Sequence, residues 1–152
     1  MAMRLVALIE DDEQLLAAAR QVIAANYERG RHHIGAAVRM SAGRVFVGVH
    51  VEADVGRIAV CAEAVALATA LSAGARGAQT VVAVAHPHTN DTDRGLRVVA
   101  PCGMCRELIS DFGPDAWVIL PSAEGALGRV PVLDLLPAKS ARAFLPPPSG
   151  SA

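Results

Sequence analysis

Three cysteines and one glutamate in this sequence have the spacing expected of a metal site with a proton-carrying side chain beside it. Cys102 and Cys105 are three residues apart in "PCGMCRELISDF", a standard spacing for zinc ligands. Cys61 can supply a third thiolate, which leaves the fourth tetrahedral position free for water, as in catalytic zinc sites. Glu63 follows Cys61 by two residues, so its carboxylate can hydrogen-bond that water without binding the metal. The spacing predicts a catalytic zinc site.

Each of these residues also has a simpler interpretation. The cysteines can be small buried apolar side chains, as lone cysteines usually are. A zinc ion can be purely structural if a histidine supplies a fourth protein ligand. Glu63 can merely complement the dipole of a helix N-terminus, an effect worth at most about 1 kcal/mol. The joint placement of the four residues favours the catalytic interpretation.

The pattern of apolar residues predicts the elements that position these side chains. The predicted helices are 11–27, 61–72 and 101–112; the predicted strands are a hairpin at 34–40 and 44–52, then 80–86 and 116–121. Residues 130–137 fit either a strand or a short helix. All three cysteines then fall at helix N-termini, so two helix starts are aimed at one point.

Helices interleaved with strands predict an α/β fold, a three-layer α-β-α sandwich around a central mixed sheet of about five strands. We expect an antiparallel hairpin at its start and parallel strands afterwards. With 152 residues, the chain fits one catalytic domain, which we place at 1–145. The Pro/Ser/Gly-rich stretch 146–152 is expected to be a flexible tail.

The composition of the chain argues against some classes of binding partner. A net charge of −1 and only five aromatic residues (Trp 1, Tyr 1, Phe 3) argue against a nucleic-acid-binding module. No apolar run approaches the length of a membrane span, and the start of the chain lacks an export pattern. An odd number of cysteines fits reduced thiols better than disulfides. We therefore expect a cytoplasmic protein with neither nucleic acid nor membrane as partner.

The stretch Cys-Ala-Glu, followed some forty residues later by Pro-Cys-Gly-Met-Cys, resembles the zinc-dependent cytidine deaminase superfamily. The flanking stretches "IGAAV", "FVGVHVE" and "LLP" are similar to the family's first hairpin and C-terminal segment, so the resemblance covers roughly residues 11 to 137. It implies a zinc-dependent aminohydrolase that converts cytidine, deoxycytidine or a related aminated pyrimidine to its oxo form and releases ammonia.

The resemblance also implies roles for particular residues. Cys61, Cys102 and Cys105 would hold zinc, and Glu63 would carry protons. The backbone of Ala62 and the carbonyl of Ala100 would contact the ring amide and the departing amine. Relatives of this family form homotetramers, so a homotetramer or a dimer is expected, with Phe144 a candidate to reach a neighbouring site.

Several residues depart from the cytidine-specific pattern. His50 stands where that pattern has asparagine, although Glu52 matches, and both are candidates for substrate binding. His32 stands where an aromatic residue is usual, and the loop from His86 to Arg94 looks long. His86 and His88, in this loop, are expected to be solvated rather than to act as ligands.

Beside the catalytic glutamate, Ala64 replaces an arginine. Arg106 is then the remaining candidate to hydrogen-bond the thiolates from behind. A hydrophobic residue after the glutamate is a feature of blasticidin S deaminases, which act on a cytosine-bearing antibiotic. A modified or non-ribose substrate is therefore an alternative to cytidine, and a non-catalytic zinc-stabilised scaffold is an alternative from another class.

Overall fold

The computed structural model describes residues 3–140 of the chain. Phe144 and the predicted tail 146–152 lie outside the described residues. The helices and strands follow one another as α1 (Glu10–Asn26), β1 (Ile34–Met40), β2 (Val45–Val49), α2 (Ala62–Ser72), β3 (Ala78–Ala85), β4 (Arg97–Val99), α3 (Gly103–Phe112), β5 (Trp117–Pro121) and β6 (Leu127–Pro131). Among these elements, no helix is both long and apolar enough to cross a membrane.

The six strands form one mixed sheet in the order β2-β1-β3-β5-β6, with β4 also paired to β3. The predicted hairpin is confirmed: β1 and β2 pair antiparallel around a turn in which Gly43 has a φ of 80°. The expectation of parallel strands afterwards is confirmed for the two strands that it concerned, β3 and β5, whereas the pairs β1–β3, β3–β4 and β5–β6 are antiparallel. The turn between β5 and β6 is too short for the crossover that parallel pairing needs.

Helices cover both faces of the sheet, which confirms the three-layer sandwich. On one face α1 packs through Leu15, Leu16 and Ile23 onto alternate residues of β1 and β3. On the other face α2 and α3 pack onto the remaining side chains of the same strands. The central strands are therefore buried on both sides, which explains their nearly continuous apolar sequence.

Two short segments, one near the site and one near the C-terminus, were not determined by the sequence pattern. The strand β4 was not predicted, since three residues are too few to show a periodic pattern; its pairing with Ala83–Ala85 raises the strand number to six. The ambiguous stretch 130–137 contains both predicted alternatives: it begins in β6 and continues as a 3-10 helix over Val132–Leu135.

Candidate active site

The three cysteines meet where two helices begin. Cys61 caps the N-terminus of α2, and Cys102 caps that of α3, where its sulfur accepts a hydrogen bond from the backbone N–H of Cys105 at 3.5 Å. The helices bring the sulfurs together because both pack on the same face of the sheet. The sequence expectation that two helix starts converge is thus met in three dimensions.

The donor set fits a zinc ion. The three sulfurs lie within 4.8 Å of one another, and the sulfurs of Cys61 and Cys102 are 3.7 Å apart. Two sulfurs on a tetrahedral zinc with bonds of about 2.3 Å are separated by about 3.8 Å. A disulfide needs only about 2.0 Å between sulfurs, and all three cysteines are free thiols. Within residues 3–140, the cluster able to hold a metal ion consists of these three thiols alone.

The thiols differ in how readily they ionise. Burial raises the pKa of Cys61 and, more strongly, that of Cys105, which also lies close to the negative charge of Glu63. Burial acts on Cys102 in the same direction, but hydrogen bonds, first from the backbone N–H of Cys105, outweigh it and lower the pKa of Cys102. A cation bound by all three sulfurs would favour the ionised form of each.

Glu63 lies in the first turn of α2 and is buried, with 6% of its surface exposed. Burial raises its pKa, opposed in part by hydrogen bonds with its own backbone and with the thiol of Cys105, and by the nearby imidazole of His50. The carboxyl group therefore lies beside a predicted metal ligand and within electrostatic reach of the end of β2. A buried carboxyl with a raised pKa takes up a proton more readily than an exposed one, as a proton carrier must.

Behind the thiols, the surroundings of Ala64 are apolar. Ala64 lines a pocket of about 260 Å³ with Cys61, Cys105 and four other residues, Ala59, Val60, Met104 and Leu108. Arg106, the candidate partner of the thiolates, donates its Nε–H to the carbonyl of Pro101 at 2.9 Å. Its guanidinium thus braces the segment that leads into Cys102.

The backbone candidates lie on the two sides of this cluster. Ala62 is the first residue of α2 and is buried, and N–H groups at this position of a helix have no partner within the helix. Ala100 lies between β4 and Cys102 and is exposed.

The predicted substrate-binding residues gather at one edge of the sheet. Antiparallel pairing places the start of β1 beside the end of β2 and the end of β3, as the pairs Gly35 with Val49 and Ile34 with Ala85 show. His50 and Glu52 follow β2, and the Nε2 atom of His50 lies 3.4 Å from Oε2 of Glu52. His32 precedes β1, and its Nδ1 lies 2.8 Å from the carbonyl oxygen of His50. These three residues are neighbours.

Sequence reasoning missed that the remaining histidines join them. The ring centre of His33 lies 6.0 Å from that of His50 and 5.4 Å from that of His88, and Tyr27 stacks on His86 at 3.6 Å. His88 is exposed, as expected of a solvated loop residue, whereas His86 is half-buried against the tyrosine ring. The paired spacing of histidines before β1 and after β3 was a signal, but only antiparallel pairing makes them adjacent.

Comparison with known proteins places these features in a family. Residues 9–121 match the family described as the cytidine and deoxycytidylate deaminase zinc-binding region. The chain is 44% identical over 133 residues to a blasticidin-S deaminase of Bacillus cereus, which covers 88% of this chain and 94% of that protein. It is 35% identical over 108 residues to a cytidine deaminase of Halalkalibacterium halodurans, covering 70% and 76%. The crystal structure of a cytidine deaminase from Burkholderia pseudomallei superposes with a TM-score of 0.68 at 30% identity, covering 86% and 98%.

Proposed function

The chain belongs to the cytidine and deoxycytidylate deaminase family, and on that premise we propose that its substrate is a cytosine nucleoside with a modified sugar, of the blasticidin S kind. It is a zinc-dependent hydrolytic deaminase that acts on cytidine or a related pyrimidine. The observation that carries the choice of substrate is the 44% identity to a blasticidin-S deaminase along 94% of that protein.

The metal ligands in this proposal are the three clustered thiols. Cys61, Cys102 and Cys105 present sulfurs within 4.8 Å of one another, which suits tetrahedral zinc and leaves a fourth position for a small molecule. When bound there, zinc would make a water molecule acidic enough to serve as the nucleophile near neutral pH. The helix starts at Cys61 and Cys102 contribute partial positive charge that favours the thiolates.

Glu63 carries the protons of the reaction. Its carboxylate accepts a proton from the attacking water and passes it to the adjacent ring nitrogen, then takes the remaining proton of the added hydroxyl and gives it to the departing amine, in the buried environment that raises its pKa. Water and the exocyclic amine are thereby converted into a ring carbonyl and ammonia. The backbone N–H of Ala62 and the carbonyl of Ala100 orient the ring so that the amine faces Glu63.

The surroundings of His50 support a substrate other than plain cytidine. Three further histidines, at positions 32, 33 and 88, lie with His50 at the same edge of the sheet. Imidazoles donate and accept hydrogen bonds in a fixed plane, so they suit a polar, substituted sugar. Cytidine itself is the second candidate, because Glu52 is present and a cytidine deaminase is 35% identical.

We further propose a cytoplasmic homo-oligomer, a tetramer or a dimer. Large apolar side chains near the start of α2 are exposed in the single chain, among them Val55 at 61%, Ile58 at 66% and Met104 at 74%. Contact with a second copy would remove this surface from water. The three free thiols fit a reducing compartment. Light scattering on the purified protein should give a mass of two or four times the 15.7 kDa of one chain.

The substrate assignment is tested by incubating the zinc-loaded protein with cytidine, deoxycytidine and blasticidin S. Release of ammonia and loss of the cytosine absorbance measure turnover. We expect kcat/KM for blasticidin S to exceed that for cytidine by tenfold or more, a margin that polar contacts to the sugar part can supply. The reverse order favours the second candidate, and a protein that releases no ammonia from any of the three contradicts the proposal.

A further inference from the structure

Two imidazole nitrogens at the strand ends that carry His50 and Glu52 are buried without a partner in the described part of the chain. The Nδ1 atoms of His33 and His50 are buried and, among residues 3–140, neither has a hydrogen-bond partner. The two ring centres are 6.0 Å apart, and His50 is one of the groups that act on the pKa of Glu63. Buried polar atoms are nearly always paired in native proteins, so an unpaired one indicates a ligand, a water molecule or a catalytic role.

The contacts of His33 determine which of its nitrogens carries the proton. The backbone N–H of Gly30 donates to Nε2 of His33 at 3.1 Å. An N–H group can only donate, so Nε2 is the acceptor and the neutral ring carries its proton on Nδ1. Burial, together with the neighbouring His88 and His50, lowers the pKa of His33 and so favours the neutral ring. His33 therefore offers one N–H donor from Nδ1.

His50 offers the complementary group. Its Nε2 lies 3.4 Å from Oε2 of Glu52, and because a carboxylate can only accept, this neighbour favours the neutral ring that carries its proton on Nε2. Its Nδ1 is then an acceptor. One free donor and one free acceptor thus lie on neighbouring rings, at the edge of the sheet that also carries His32 and Glu52.

We propose that His33 and His50 together determine substrate specificity by binding one group at the sugar end of the substrate that both accepts and donates hydrogen bonds. A hydroxyl and an amide are the two groups with this chemistry. The inference rests on the proposed function. If the amine of the cytosine ring lies at Glu63, the sugar on the opposite side of the ring is the part that would reach His33 and His50. His33 was not among the candidate site residues predicted from the sequence.

The test compares His33→Phe with His33→Asn in the zinc-loaded protein. Phenylalanine keeps a ring but removes the donor, whereas the amide N–H of asparagine reaches the position of Nδ1. Cytidine, blasticidin S and the sugarless 1-methylcytosine serve as substrates and as competing inhibitors. We expect His33→Phe to lower kcat/KM about tenfold, mainly through KM, and only for compounds with a sugar part, while His33→Asn recovers most of the loss.

His86→Phe is the matched control. Its Nδ1 already has a partner, the carbonyl of Pro87 at 2.9 Å, and a phenyl ring preserves the stacking on Tyr27. We expect kcat/KM within about twofold of the unchanged protein on every compound, since His86 is not among the described residues with a buried, unpaired nitrogen.

The outcomes separate the possibilities. A loss on cytidine identifies a hydroxyl as the bound group, and a loss confined to blasticidin S identifies the antibiotic's own sugar substituent. An equal loss on all three compounds, or none on any, overturns the inference, because a structural role would not depend on the sugar. If the unchanged protein turns over none of them, the proposed function fails instead. Calorimetry then measures binding of the compounds to the Glu63→Gln protein, with and without His33→Phe, so that no turnover is needed. Binding that His33→Phe leaves unchanged, or that is undetectable, overturns the inference.

Discussion

Two neighbouring residues at the start of α2 have opposite requirements. In the proposed mechanism Cys61 loses its proton to bind a cation, whereas Glu63 holds a proton and releases it. Burial raises the pKa of both side chains. A cation at the sulfurs reverses this effect for the thiol, so only Glu63 remains to exchange protons with substrate. One turn of helix thus carries both the ligand and the proton carrier.

Replacing Glu63 with glutamine should separate catalysis from folding. The amide keeps the shape of the side chain but cannot carry a proton, so kcat should fall by about 10²–10⁴-fold. Since burial raises the pKa of Glu63, its ionised form lowers stability at neutral pH, and the uncharged amide should leave Tm equal or higher. Ammonia release, zinc content and thermal unfolding measure the three quantities.

Glu107→Gln is the control for this change. Glu107 lies on the exposed side of α3, where it pairs with Lys139, so the same substitution there should leave kcat unchanged. A Glu63→Gln protein that retains full activity contradicts the assignment of Glu63 as the proton carrier. One that loses zinc together with activity assigns Glu63 to the metal site instead.

At the scale of elements, the position of the site depends on how closely α2 approaches the sheet. A Cβ atom at Gly48 of β2 would lie 2.5 Å from the backbone nitrogen of Ala66 and 2.9 Å from the Cβ of Val65. The glycine therefore allows α2 to lie directly on β2. Because Cys61 and Glu63 begin that helix, any displacement of α2 moves them relative to Cys102 and Cys105.

Gly48→Ala should therefore affect both stability and activity. The added methyl group forces α2 away from β2, which should lower the free energy of unfolding by about 1–3 kcal/mol. Displacement of the first turn should also reduce kcat/KM about tenfold, since catalysis is sensitive to shifts of the order of 1 Å. Urea unfolding and steady-state kinetics measure the two effects.

Gly56→Ala provides the comparison, because nothing lies within 4 Å of a Cβ at that position. This variant should match the original protein in both measurements. If Gly48→Ala also matches it, α2 is not held by its contact with β2, and another element must position the site.

Most elements were predictable from local pattern. The apolar spacing in α1 and the acidic residues of its first turn act within one segment, so the predicted helix 11–27 differs from Glu10–Asn26 by one residue at each end. Residues 97–99 have no such pattern; they form β4 only because Ala83–Ala85 offer an edge to pair with. The direction of β6 was likewise set by a short turn and its partner strand.

For the whole molecule, the apolar layers do not depend on a metal ion. One cluster of buried residues packs between α1 and the sheet, and another between the sheet and the two site helices. A fully buried carboxylate, Asp12, further ties α1 to the sheet by pairing with Arg39 of β1 at 3.0 Å and Arg129 of β6 at 3.2 Å. Zinc would therefore add to a fold that already has its own core.

Removing zinc with a chelator should abolish turnover while the far-UV circular dichroism remains that of a folded protein. Tm should fall on the order of 5 °C, because the ligand stabilises only the native state. Adding zinc back should restore activity. Complete unfolding on chelation contradicts this expectation and favours the zinc-stabilised scaffold.

The sequence by itself indicated the chemistry of this protein, because the residues that define it fall in two short stretches of the chain. Cys102 and Cys105 share one helical turn, as do Cys61 and Glu63, so spacing alone predicted a zinc site with a proton carrier. The tertiary structure decided which residues lie beside His50 and Glu52, the proposed contacts of the substrate's sugar end. His33, His50 and His88 are far apart in sequence and meet because β1 pairs antiparallel with both β2 and β3. Strand register depends on long-range packing, which no local pattern contains.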